Sequence, residues 1–280
     1  MDQNEKLRLL LKDKKRIVVK IGSSSITHES TGNLNYKKLE KLVRILCDLR
    51  NEGKDVVLVS SGAIAVGRQA IGLIERPKDT SMKQACAAIG QCRLMMTYEK
   101  LFSEYNQLIS QILLTKFTFM REESKINTLN TFEALFGLGA IPIVNENDTI
   151  ATHEIEVGDN DRLSSMVTAL IGADLLILLS DIDGLYTDDP KKNPNARFIE
   201  LVPEINEEYK NMGKDSASNV GTGGMAAKIV AATIATQSGA EVVIANSMEL
   251  DNITRIMEGE KVGTLFAANR QENFSLEQYL

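Results

Sequence analysis

The chain has 280 residues, 43% of them hydrophobic, and a formal net charge of −6. That length supports one large domain or two small ones around an ordinary core. The acidic balance argues against a nucleic-acid-binding surface as the main business, because neutralising phosphates needs a basic face.

Short β-branched runs alternate with longer helix-like segments. The basic run "LKDKKRIVVK" (11–20), broken by Asp13, reads as a solvated approach to a first strand at "RIVVKIG" (16–22). An amphipathic helix follows over 35–53 and stops at Gly53; "DVVLVSSG" (55–62) is the next strand. Helical sequence resumes at Ala63, and again from Ser81 to about Tyr105. "LISQILLT" (108–115) predicts a strand, and "INTLNTFEALFGLG" (126–139) a helix with a glycine stop. "AIPIV" (140–144), "DLLILLS" (174–180) and "AEVVIAN" (240–246) are further strands, and "EIEV" (154–157) alternates like a small hairpin arm. The polar stretch 204–221 reads as a mobile connection. The strands are apolar throughout rather than alternating, as parallel strands covered on both faces are. The pattern is α/β, with an open, mostly parallel sheet between helical layers.

Only His28 and His153 are present, neither with a partner at a recognisable spacing, so both read as loop residues and zinc or Ser-His-Asp chemistry is disfavoured. Cys47, Cys86 and Cys92 form no CxxC pair, which points to a reducing compartment. Cys86 and Cys92 lie in Ala-rich helical sequence and are expected to be buried. The N-terminus lacks an apolar signal core, and "ADLLILLS" (173–180) is far too short to cross a bilayer. A soluble, cytoplasmic protein is expected.

In open α/β sheets ligands collect beyond the carboxyl ends of strands. Lys20 and Gly22 stand at one such end, Ser60 to Gly62 at another, Asn145 to Asp148 at a third and Ser180 to Asp183 at a fourth. "KIGSSS" (20–25) is either a phosphate cradle, with Lys20 as its point charge, or a Ser-rich turn. "GTGGMAAK" (221–228) sets three glycines before an Ala-rich helix, where close backbone approach and a helix N-terminus suit a phosphate; a flexible hinge is the alternative. Lys228 near that first turn opposes the helix dipole, so its place points away from a purely structural role. Neither a Walker A loop nor a strand-following GxGxxG is present. Asp181 and Asp183 after a buried strand suit magnesium or a ribose, or simply the turn that "DG" makes readily. Two lysines beside separate glycine-rich turns, with several acids, form the inventory of phosphoryl transfer.

"VVKIGSSSI", "VSSGAIAVG", "IPIVNENDTI", "VGDNDRLS", "LLILLSDIDGLYTDDP" and "GTGGMAAK" together resemble, in order, the motifs of the amino acid kinase family. The pairing of "NEND" with "VGDND" marks the branch that acts on glutamate. The resemblance reaches to about "VGTLF" (262–266). It implies a three-layer α/β/α sandwich: one kinase domain over 1–266, with a glutamate site in its N-terminal half and an ATP site in its C-terminal half, and a tail over 267–280. The implied reaction is phosphorylation of the side-chain carboxylate of L-glutamate by ATP with Mg2+, feeding proline synthesis. Carried over by motif, Lys20 and Lys228 flank the transferring phosphoryl group, and Asp161 orients them, completing the catalytic set. Ser61, Gly62, Asp148 and Asn160 bind glutamate. Lys20, Ser180 and Asp181 bind ATP, together with Thr222, Gly223, Gly224, Met225, Ala226, Ala227 and Lys228. The crowd of acids and amides at 145–148 and 159–161 then has a purpose. A free amino acid brings an ammonium group that needs acceptors in a partly dry pocket, at roughly 1.5–3 kcal/mol per charge-assisted bond.

Three features depart from the family pattern. "GGMAAK" lacks the hydroxyl residue often found before the lysine, "SSG" stands where others have "TSG", and from its length the chain is expected to lack the C-terminal RNA-modification-type (PUA) domain of many bacterial members. A homo-oligomer, dimer or tetramer, and proline as feedback inhibitor are implied by the resemblance alone. Another carboxylate or carbamate acceptor, or a non-catalytic amino-acid sensor, are the alternatives. The uncharged amide of N-acetylglutamate has no need of Asp148, and a sensor has no need of Lys20, Lys228 and Asp161.

Overall fold

The structure, a computed structural model, describes residues 1–75, 77–150, 160–190, 192–212 and 224–280. It opens on a helix that the sequence does not announce. In α1 (Gln3–Leu10) the Asp2 carboxylate accepts from the Glu5 backbone N–H at 2.7 Å, and the Glu5 side chain accepts from the Asp2 N–H at 3.2 Å. This reciprocal cap satisfies two otherwise orphaned donors. The inward residues of α1 are Asn4 and Arg8, which are polar, so no apolar period betrays the helix. The basic run after it is in part the solvated approach expected, with Lys12, Asp13 and Lys15 exposed, but Leu11 is fully buried and Lys14 pairs with Glu241 at 2.5 Å.

β1 (Arg16–Ile21) is buried from its second residue onward, and Gly22 stands at the start of the one-turn helix α2 (Ser23–Ile26). α3 (Tyr36–Asn51) begins where the Asn35 side chain accepts from the Lys38 N–H, and it buries Leu39, Leu42, Val43 and Leu46 at helical spacing. β2 (Asp55–Ser60) leads to α4 (Ala63–Ala70) and α5 (Thr80–Ser103). These two helices touch backbone to backbone. A Cβ at Gly67 would lie 1.8 Å from the Cys86 carbonyl oxygen, and one at Gly90 would lie 1.7 Å from that of Ala63. Both positions therefore admit only glycine. β3 (Ile109–Leu114), α6 (Lys116–Met120), α7 (Glu122–Gly137) and β4 (Ile141–Glu146) follow. Then come α8 (Asn160–Leu170), β5 (Leu175–Ser180), β6 (Leu201–Val202), α9 (Glu207–Met212) and α10 (Met225–Ser238). β7 (Glu241–Asn246), α11 (Asn252–Met257) and β8 (Thr264–Phe266) complete the set.

The chain divides into two compact units, Ile21–Glu156 and Met1–Lys20 with Val157–Leu280. In the first, β3, β4 and β2 lie side by side in that order, all parallel. In the second the order is β1, β5, β7, β8, β6, parallel except where β7 meets β8. The architecture is the expected α/β class, with mostly parallel strands flanked by helices. The fully apolar runs are strands such as β5, buried at every position.

Several expectations need correcting. Cys86 is buried where α5 meets α4, but Cys92 is exposed. Six residues further along a helix is about 240° around it, so the two thiols face different ways. The first part of the polar stretch 204–221 contains α9 rather than only a connection; its remainder, from 213, lies outside the described residues. The expected arm at 154–157 and His153 also lie outside them, while His28 is exposed. Beyond β8 the tail returns to α10: the Asn269 N–H donates to the Thr236 carbonyl at 2.9 Å, and the Gln271 N–H to that of Gln237 at 3.0 Å. Among the described residues no helix is long and apolar enough to cross a membrane.

Candidate active site

Three charged side chains meet in the unit formed by the two ends of the chain. Lys20 is the next-to-last residue of β1, Asp161 lies in the first turn of α8, and Lys228 is the fourth residue of α10. The Lys20 Nζ lies 2.6 Å from Asp161 Oδ1, and the Lys228 Nζ donates to Oδ2 at 3.0 Å. All three are buried, Asp161 completely. Burial pushes the Asp161 carboxyl up, but the ammonium charges of Lys20 and then Lys228 outweigh it, holding the group below the ordinary carboxylate range. A carboxylate at a helix start also gains from the dipole of α8. Lys228 loses against the dipole of α10, and its partner Asp161 explains why it is tolerated there. The trio carries one net positive charge on rigid elements, an arrangement suited to holding an anion whose charge moves during a reaction.

The end of β5 is equally built. The Ser180 hydroxyl donates to Asp181 Oδ1 at 3.1 Å, and the Ser180 carbonyl accepts from the Ser247 N–H at 2.6 Å. Asp183 accepts from the Asn246 side chain at 2.7 Å, and Tyr186 stacks edge-on against Phe198 at 5.2 Å. Gly184 passes so close to Thr264 that a Cβ would lie 2.5 Å from its hydroxyl oxygen, which accepts from the Leu185 N–H at 2.8 Å. Asp181 is left exposed at the strand end. Gly224, without a side chain, precedes the first turn of α10, made by Met225, Ala226, Ala227 and Lys228. Helix starts present backbone N–H donors, which is the usual way a chain meets phosphate. Thr222 and Gly223 lie outside the described residues.

The other unit holds the ends of β2 and β4. Ser61 follows β2 and donates its backbone N–H to the Ile21 carbonyl at 3.1 Å. Gly62 sits at φ 113°, left-handed, at the start of α4. The turn after β4 is tied by the Asn147 N–H to the Leu114 carbonyl at 2.8 Å, and Asp148 in it is half-buried. Asn160 is not in this unit; it is the first residue of α8, beside Asp161. Two buried polar pairs that the sequence reading missed stand just behind these turns. Asn145 on β4 donates to Gln91 Oε1 at 3.1 Å, and the Ser60 hydroxyl lies 2.8 Å from that of Tyr98. Gln91 and Tyr98 are seven residues apart and share one face of α5. Two polar groups on the buried face of an otherwise core helix were the available signal.

Among the described residues no group of three or more His, Cys, Asp and Glu side chains is placed to hold a metal. Asp161 is already engaged by two lysines. A magnesium ion travelling with nucleotide phosphates keeps several waters and needs only one or two carboxylates, which the exposed Asp181 fits.

Comparison with known proteins identifies the family. The model of the amino acid kinase family matches residues 15–246, and the chain belongs to that family. Among its relatives, the glutamate 5-kinase of Carboxydothermus hydrogenoformans is 50% identical over 274 residues, covering 98% of this chain and 73% of that one. That of Clostridium acetobutylicum is 53% identical over 251 residues (90% and 94%), and that of Clostridium perfringens 46% over 270 residues (95% and 100%). Two solved structures share the fold: an isopentenyl phosphate kinase from T. acidophilum, with a TM-score of 0.61 at 17% identity over 90% of this chain and 100% of that one, and a UMP kinase from Bacillus anthracis, with 0.62 at 15% over 91% and 97%.

Proposed function

We infer that the chain transfers the γ-phosphoryl group of ATP to the side-chain carboxylate of L-glutamate, giving L-glutamyl 5-phosphate and ADP, the first step of proline synthesis. The observation that carries this is the buried Lys20–Asp161–Lys228 trio in a chain half identical, over nearly its whole length, to glutamate 5-kinases. In the transfer a carboxylate oxygen of glutamate bonds to the γ-phosphorus while the bond from phosphorus to the ADP oxygen breaks. Lys20 and Lys228 neutralise the oxygens of the moving group, and Asp161 keeps both ammonium groups in place. ATP lies against Ser180, Asp181 and residues 222–228, in the C-terminal half. Glutamate is held in the N-terminal half by Ser61, Gly62 and Asp148, with Asn160 added; Asp148 and Asn160 take its ammonium group. Mg2+ bound to the nucleotide would supply further charge neutralisation, and the exposed Asp181 is the carboxylate that would hold it. A cytoplasmic location, self-association and inhibition by proline belong to the same reading.

Trapping the acyl phosphate with hydroxylamine tests it directly. Hydroxamate is expected with L-glutamate, ATP and Mg2+, and not with aspartate or N-acetylglutamate. A clear signal from another acceptor with none from glutamate overturns the assignment. Within the site, Asp148→Ala is expected to raise KM for glutamate about 10- to 100-fold, as loss of a charge-assisted bond does, and to leave KM for ATP almost unchanged. Equal rises in both constants would make Asp148 a structural residue of its turn.

A further inference from the structure

The Ser60 hydroxyl has two neighbours. Its oxygen lies 2.8 Å from the Tyr98 hydroxyl and 3.1 Å from the carbonyl oxygen of Ser61. A carbonyl only accepts, so the Ser60 proton points at Ser61, and Tyr98 must donate to Ser60. The two bonds therefore run in one direction: Tyr98 O–H to Ser60 Oγ, and Ser60 O–H to the Ser61 carbonyl. Tyr98 is 0% exposed and Ser60 1%, so bulk water does not compete for the bond between them; the bond to the half-buried Ser61 is partly buried. In such surroundings each bond is stronger than at the surface, and each lost partner costs more.

The two ends of this relay differ in kind. Tyr98 lies on α5, five residues before its last, Ser103, and the backbone of that helix is seated on α4 through Gly67 and Gly90. Its position is set by helix packing and owes nothing to the turn. The other end is the peptide joining Ser61 to Gly62. Its plane aims the Ser61 carbonyl one way and the Gly62 N–H the other, at the point where the chain turns left-handed into α4. Packing does not call for the hydroxyl, since a phenylalanine would fill the same space beside Phe102.

We propose that Tyr98 is a positioning residue for the phosphoryl acceptor: through Ser60 it sets the Ser61–Gly62 peptide and thereby the affinity for glutamate. This rests on the reading of Ser61 and Gly62 as acceptor contacts. Tyr98→Phe and Ser60→Ala are each expected to raise KM for glutamate about three- to tenfold, the effect of one buried hydrogen bond. KM for ATP and kcat should stay close to wild type, while the urea midpoint falls modestly in both, more in Ser60→Ala, which strands the buried Tyr98 hydroxyl. Both variants act on one relay, so their combination should be no worse than the stronger of the two. Ser60→Thr, which keeps the hydroxyl, should restore the wild-type constant. Ser61→Ala separates the two levels of the argument. If Ser61→Ala raises KM for glutamate and Tyr98→Phe does not, the positioning role of Tyr98 is wrong and the acceptor site stands. If Ser61→Ala changes nothing, the role of Ser61 fails and the inference with it. Equal rises in both Michaelis constants would reduce Tyr98 to a core residue and also overturn the proposal.

Discussion

Asp161→Asn is expected to lower kcat by about 10²- to 10³-fold, in the range seen when one preorganised electrostatic group is removed, and to lower stability by about 3–5 kcal/mol, as when one partner of a buried ion pair is lost. The amide has nearly the shape of the carboxylate, so packing is not the cause. What changes is charge: Lys20 and Lys228 converge on Asp161 at 2.6 and 3.0 Å, and all three groups are buried. Without the carboxylate, two ammonium groups face each other in a low-dielectric site. They relieve the repulsion by losing a proton or by turning away, and either response removes cation from the phosphoryl position. KM for glutamate should move little, because Asp161 serves the lysines rather than the acceptor. The wild-type protein should show the same group in its pH dependence. The folded-state pKa of Asp161 lies below its unfolded value of about 3.9. Its contribution to stability is therefore complete above that pH and is lost as pH falls through the lower, folded value. Urea midpoints from pH 7 to pH 2 should show this acid limb in the wild type, and Asp161→Asn should lack its share. A variant with kcat within about twofold of wild type would remove the trio from the transfer step as it is understood for this class of reaction.

The trio also shows what a sequence can and cannot disclose. Lys228 was conspicuous because a lysine in the first turn of a helix opposes the dipole, and Asp161 was conspicuous among clustered acids. Their convergence is a matter of topology. β1, from the start of the chain, pairs in parallel with β5 from its second half, with Lys20 level with Leu178. No local pattern encodes that pairing. The first twenty residues accordingly belong to the same compact unit as residues 157–280, so the two units are not consecutive halves of the chain. The six longer strands were legible because they are apolar without alternation, and of the helices α3, α4, α5, α7 and α10 were, α3 through a clear apolar stripe; the short β6 and β8, and α8 with Asp161 in its first turn, were not. α1 was not, because its buried face is Asn4 and Arg8. The relay behind Ser61 was hidden for a related reason: serine at a strand end and tyrosine in a core helix are each ordinary, and only the 2.8 Å between them makes them a pair.

Arg8→Met is expected to cost about 3–5 kcal/mol of stability, beyond the usual range for a point substitution, because it strands several buried acceptors at once. The Arg8 guanidinium is fully buried. It donates to the carbonyls of Val262 at 2.6 Å, Gly263 at 2.8 Å, Glu200 at 2.9 Å and Glu260 at 3.2 Å, and its Nε donates to Asn4 Oδ1 at 2.8 Å. Burial lowers its pKa, and the charge of Glu200 works against that fall; Asn4 also donates to the Glu200 carboxylate at 2.9 Å. A planar fork with five donors can serve four carbonyls from two chain segments, whereas an ammonium has three donors at one point. Arg8→Lys should therefore recover less than half of the loss. The consequence reaches the nucleotide side of the reaction. Gly263 is followed by Thr264, whose hydroxyl accepts from the Leu185 N–H and donates to the Ile199 carbonyl at 2.6 Å, holding the loop that begins at Asp181. Loosening Gly263 should loosen that loop, so the surviving folded Arg8→Met protein should show a raised KM for ATP with KM for glutamate unchanged. Urea unfolding and the two Michaelis constants check both halves. A midpoint shift worth less than about 1 kcal/mol, the scale of one ordinary hydrogen bond, would mean that water replaces the guanidinium and that α1 is not the clasp this geometry describes.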